Sequence, residues 1–102
     1  MSLIIKMIEK ENMRNDFMRG YYKKEIDTLP KGTITKKKVG NNEYYYLKYR
    51  SGVKTITDYI GKDIIKVEGI KQLLAKRKHD ELMLSELNNE NVLISKILEE
   101  AK

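Results

Sequence analysis

Nine side chains dominate the chemistry open to this chain: the cations Lys36, Lys37, Lys38, Lys48, Arg50 and Lys54 and the phenols Tyr44, Tyr46 and Tyr59. They fall in residues 30–66, a stretch with nine Lys and Arg against three Asp and Glu, and with five of the chain's seven tyrosines. On either side the charges nearly cancel, six cations against five carboxylates in 1–29 and six against seven in 67–102. Ammonium and guanidinium groups displace counterions from phosphates, and flat rings pack on sugars or stack on bases. The combination therefore points to a nucleic acid, DNA or RNA, with the six cations expected at phosphates and the three phenols at sugars or bases.

Other reactive chemistry is sparse. His79 is the single histidine and stands between Lys78 and Asp80, so neither a histidine-based metal site nor a Ser-His pair can be assembled. The absence of cysteine removes thiolate ligands, thiol nucleophiles and disulfides, and fits a reducing cytosol. Gly61-Lys62 resembles the end of a phosphate loop, but the earlier glycine of that motif is missing and Asp63 stands where a hydroxyl is needed. Glu43, Asp58 and Asp63 could approach one another in the fold, as a magnesium site would require. Asp58, read as lying opposite Tyr45 in basic surroundings, is better suited to offsetting lysine charge. The chain is expected not to be an enzyme and to use no cofactor or metal.

These side chains need a scaffold, and 102 residues suffice for one domain with one modest core. A content of 40% hydrophobic and 35% charged residues, with a formal net charge of +6, describes a folded, highly charged chain. The longest apolar run, Leu3 to Ile5, is far too short for a membrane span or a signal-peptide core, so a cytoplasmic protein without a membrane partner is expected.

The expected fold class is α+β, a single domain over 1–102. Residues 1–29 form an N-terminal helical segment, with Asp16 as cap and Phe17 and Tyr21 on one face, ending near Thr28 because Pro30 disfavours helix at Leu29. Residues 33–60 form a three-stranded antiparallel meander: Thr33 to Val39, Glu43 to Arg50 and Val53 to Ile60, joined at Asn41-Asn42 and Ser51-Gly52. Alternation then gives an aliphatic face with Tyr45, Leu47, Tyr49, Ile56 and Ile60, joined by Ile34 with Asn41-Asn42 as the turn, or by Thr35 after a one-residue slip there. The opposite face holds Lys37, Tyr44, Tyr46, Lys48, Arg50, Tyr59 and Thr33, Thr35, Thr55 and Thr57. Lys36-Lys37-Lys38 on an edge strand also discourages edge-to-edge pairing. Residues 68–101 read as a helical segment packed on one face of the sheet, with Ile70, Leu73, Leu74, Arg77, Leu84 and Leu87 as its stripe. A break at 88–91, where Asn88-Asn89-Glu90-Asn91 caps better than it propagates, is expected to start a short last helix. One unbroken helix is the alternative.

The series Leu29-Pro30-Lys31-Gly32-Thr33-Ile34, Tyr44-Tyr45-Tyr46-Leu47-Lys48-Tyr49-Arg50, Gly52-Val53-Lys54 and Tyr59-Ile60-Gly61-Lys62 resembles a family of short proteins from Firmicutes and their mobile elements. That family has no established activity, so the resemblance implies origin and architecture. The strand pattern is also similar to the three-stranded arm-binding domain of phage-type tyrosine integrases, in which a sheet reads the major groove. That similarity implies base or phosphate contacts at Tyr46, Lys48, Arg50 and Lys54.

The functional expectation is a non-enzymatic nucleic-acid-binding accessory protein of a phage or mobile element. The alternative is a protein-binding module, antitoxin-like or an anti-defence inhibitor, docking through exposed tyrosines or through the 70–98 helical segment, which would also serve a homodimer.

Overall fold

The computed structural model describes residues 2–101 and has the element order α1 (Leu3–Thr28), β1 (Thr33–Val39), β2 (Asn42–Ser51), β3 (Lys54–Gly61) and α2 (Ile64–Glu100). The chain forms two compact units, one spanning Leu29–Arg77 and the other made of α1 with α2 from Lys78 onward.

In the first unit the strands pair in the order β1-β2-β3, all antiparallel. Both turns lie one residue away from their expected places. The loops are Gly40-Asn41 and Gly52-Val53, flanked by the pairs Val39↔Asn42 and Ser51↔Lys54. Only the first residue of each loop has positive φ, 61° at Gly40 and 63° at Gly52, as in the two-residue hairpin that begins with glycine. Placing Asn41 or Ser51 first would force a residue with a Cβ into that conformation. Each register therefore moves by two, so that Leu47 faces Ile34 and Asp58, and Tyr46 faces Thr35 and Tyr59. A shift of two keeps every side chain on its expected face.

The aliphatic face is the one withdrawn from solvent, with Ile60 buried and Ile34, Leu47 and Ile56 half-buried. The sheet is packed by α2, whose Val67 is almost completely buried, a contribution of about 1.5–3 kcal/mol by area. Asp63 starts that helix by accepting from the Ile65 and Lys66 amides at 2.9 and 3.4 Å. At the other end of the unit, Arg77 donates to the Leu29 carbonyl at 2.8 Å, tying the turn before β1 to the helix. Gly32, at φ 118°, passes so close to β2 that a Cβ there would lie 2.3 Å from the Lys48 carbonyl oxygen and 2.9 Å from the Tyr49 Cβ.

The expected break at 88–91 and the short last helix are corrected: α2 is continuous from Ile64 to Glu100. A series of buried and half-buried positions, Val67, Ile70, Leu74, Arg77, Asp80, Leu84, Leu87, Asn91, Ile94 and Leu98, runs along the helix at steps of three or four, with half-buried Met83 and Ile97 beside it. Asn91 thus belongs to the inward stripe, and tertiary ties outweigh the weak helix propensity of its neighbours.

In the second unit α1 begins at Leu3, well before the expected cap at Asp16. Ser2 supplies the cap instead, its hydroxyl accepting from the Ile4 amide at 3.2 Å, and Asp16 pairs with Arg19. The helix closes at Thr28, whose hydroxyl donates to the Glu25 carbonyl at 2.7 Å. Asn15, 1% exposed, holds α1 to α2: its amide donates to the Leu87 carbonyl at 2.9 Å while its oxygen accepts from Arg19 Nε at 2.7 Å. Arg19 also reaches the Asn91 side chain at 3.4 Å. Leu3, Ile4, Met7, Met13, Phe17 and Tyr21 of α1 remain exposed.

Candidate functional site

The solvated face of the sheet carries Thr33, Thr35 and Lys37 from β1, Tyr44, Tyr46, Lys48 and Arg50 from β2, and Thr55, Thr57 and Tyr59 from β3. The register explains its grouping. Tyr46 and Tyr59 are direct cross-strand partners, and Tyr44 is the next same-face residue along β2. The Tyr59 ring centre lies 5.5 Å from that of Tyr46, edge to face at 61°, and 6.3 Å from that of Tyr44 at 42°. Tyr59 is 61% exposed, whereas Tyr44 and Tyr46, the two rings it meets, are half-buried. Lys48 and Arg50 continue the same side of β2 and are exposed. At about 3.4 Å per residue the line from Tyr44 to Arg50 spans roughly 20 Å.

A bulge completes the face with a cation that alternation conceals. Between Tyr45 and Tyr46 the β3 partner jumps from Gly61 to Tyr59, so Ile60 is an extra residue. Ile60 stays on the buried side and the parity of everything after it is reversed. Lys62 consequently arrives beside Tyr44, with Nζ 5.5 Å from the ring centre and 3.5 Å from the Asn42 side-chain oxygen. Gly61 with φ 118° is the only sequence mark of this irregularity.

Of the nine expected site residues, Lys37, Tyr44, Tyr46, Lys48, Arg50 and Tyr59 share this face. Lys36, Lys38 and Lys54 project from the opposite one, where Lys36 pairs with Glu43 at 3.6 Å. Asp58 also lies there, facing Leu47 rather than Tyr45, and accepts the Tyr49 hydroxyl proton at 2.9 Å instead of offsetting a lysine. That hydrogen bond, with smaller contributions from desolvation and from the carboxylate charge, raises the Tyr49 pKa above the usual phenol value. The three carboxylates are thus engaged separately: Glu43 with Lys36, Asp58 with Tyr49 and Asp63 with the start of α2. Among the described residues there is no group of three His, Cys, Asp or Glu side chains able to hold a metal ion, and no helix is long and apolar enough to cross a membrane.

The arrangement is a shallow aromatic platform with Lys37 and Lys62 at one end and Lys48 and Arg50 at the other. Residues 7–69 match the model of a domain of unknown function, DUF6788, a span that contains the whole sheet. No curated protein and no solved structure matches the chain.

Proposed function

The chain belongs to the family of the domain of unknown function DUF6788, and we propose that it is a non-enzymatic nucleic-acid-binding accessory protein using the Tyr44–Tyr46–Tyr59 sheet face. The observation that supports this reading is the division of the sheet. Ile34, Leu47, Ile56 and Ile60 all lie on one side, while Tyr44, Tyr46 and Tyr59 cluster on the other with Lys37, Lys48, Arg50 and Lys62. Lysine and arginine at both ends of the platform provide counterion release, and the rings provide contact area.

Two charge-matched double variants test it by fluorescence anisotropy with labelled oligonucleotides. Lys48→Ala/Arg50→Ala removes two cations from the solvated face and is expected to weaken binding strongly. Lys36→Ala/Lys38→Ala removes two from the opposite face and is expected to weaken it far less. Equal losses would mean that total charge, not this face, governs binding.

A second reading, a protein-binding module, is favoured by a different observation. Leu3, Ile4, Met7, Phe17 and Tyr21 of α1 are each at least 49% exposed, and monomeric proteins rarely leave so many large apolar side chains on one helix. The 70–98 segment of α2, where Leu73, Leu82, Val92 and Leu93 are also exposed, is the other surface open to a protein partner or a second copy.

A further inference from the structure

We infer that the platform takes single-stranded nucleic acid in preference to duplex, with one base stacked on Tyr59; this rests on the nucleic-acid reading above and narrows its ligand. In a duplex the flat faces of the bases are covered by their neighbours, and only their edges are open in the grooves. Edge reading needs forked donors and acceptors, such as Arg, Asn or Gln side chains, at the point of deepest contact. Here that point is occupied by three phenol rings, which gain most from an unstacked base presenting its π-face. Tyr59 is the ring to receive it. It is 61% exposed, and its orientation is already held by Tyr46 at 5.5 Å and Tyr44 at 6.3 Å, so little side-chain freedom remains to be lost on stacking.

The charges fit the same ligand. Lys62 sits beside Tyr44, and Lys37 is the β1 partner of Tyr44, while Lys48 and Arg50 follow Tyr46 along β2. A single strand running along β2 would meet cations, then rings, then cations, with bases turned toward the rings and the phosphates on either side of them within reach of the cations. The hydroxyls of Thr35 and Thr57 flank the rings and offer hydrogen bonds to base edges that a duplex would use for pairing.

The test titrates the full chain with oligothymidine, oligouridine and a mixed-sequence duplex of equal length at one salt concentration, for the natural sequence, Tyr59→Leu and Lys48→Ala/Arg50→Ala. A single strand of either kind is expected to bind at least about ten-fold tighter than duplex. Tyr59→Leu should lower single-strand affinity at least about five-fold without changing its salt dependence. The thymidine and uridine arms distinguish a DNA from an RNA ligand, and an advantage of either over duplex supports the inference. Duplex binding that equals or exceeds both single strands, or a Tyr59→Leu variant that binds single strands as the natural chain does, overturns it. If duplex is preferred and Lys48→Ala/Arg50→Ala abolishes that binding, this inference fails while the basic-face reading stands. No binding to any probe overturns both. Circular dichroism of each variant separates lost contacts from lost fold, and the exposure of all three side chains favours retained fold.

Discussion

The Lys62 ammonium nitrogen lies 5.5 Å from the centre of the Tyr44 ring, on a sheet face that simple alternation along β3 would have denied it. Tyr59 is on that face, so an unbulged strand would turn Lys62 to the other side. The extra residue Ile60 reverses the parity and brings a seventh candidate to the site, beside Tyr44 at one end of the ring cluster.

Lys62 is accordingly predicted to act with the site. Lys62→Ala should lower oligonucleotide affinity and reduce the slope of log K against log salt by about 0.7 for a single strand. The melting temperature should be unchanged, because Lys62 is exposed. Restoration of affinity by Lys62→Arg, which keeps the charge over the ring, completes the check.

Gly32 is predicted to be intolerant of any side chain. Gly32→Ala would drive a Cβ to 2.3 Å from the Lys48 carbonyl oxygen in a backbone conformation reserved for glycine. A loss of about 1–3 kcal/mol in unfolding free energy is expected from backbone strain alone, measured by denaturant titration. Gly20 is the internal control: a Cβ there meets nothing within 4 Å. Gly20→Ala, in the middle of α1, should gain about 0.5–1 kcal/mol.

Asn15 is predicted to carry much of the attachment between α1 and α2. Asn15→Ala removes a buried donor to Leu87 and a buried acceptor for Arg19, and should cost about 1–3 kcal/mol in stability. Asn15→Asp keeps the acceptor and adds a charge for Arg19, but turns a carboxylate oxygen toward the Leu87 carbonyl. It is expected to destabilise as well, by denaturant titration, which would identify the donated hydrogen bond as the decisive one.

The phenol of Tyr49 gives a pH prediction on the opposite face of the sheet. Its folded pKa is raised above the unfolded value because the neutral phenol donates to Asp58. The folded state therefore holds this proton more tightly. The associated stability is complete below about pH 10, the unfolded value, and is lost as pH rises through the folded value. Titration of the Tyr49 phenol, followed by NMR, should fall above the usual phenol range, and Asp58→Ala should lower it. Stability of Tyr49→Phe should be less sensitive to pH in that alkaline window.

The faces of the sheet were legible in the sequence because alternation depends only on parity, and both registers moved by two. Leu47 with Ile56 on one side and Tyr46, Lys48 and Arg50 on the other therefore keep their expected faces, and Ile34 keeps its own because the first turn moves its register by two, not by one. The registers themselves were not legible. Asn41-Asn42 and Ser51-Gly52 offered plausible turn residues, and only the requirement for glycine at the first loop position separates them from Gly40-Asn41 and Gly52-Val53. The bulge at Ile60 left no signal beyond Gly61, and with it Lys62 was missed. The break expected at 88–91 is absent for another reason: local propensity favours it, while the inward stripe through Leu87, Asn91 and Ile94 depends on α1, whose Asn15 and Arg19 reach it from 72 positions away.

The salt dependence of oligonucleotide binding tests the central claim most directly, measured side by side for the natural chain and Lys48→Ala/Arg50→Ala. Loss of two phosphate contacts should lower affinity and flatten the slope of log K against log salt by about 1.4 for a single strand, or about 1.8 for a duplex. An identical slope in both proteins, or no measurable binding by the natural chain at low salt, would contradict the account.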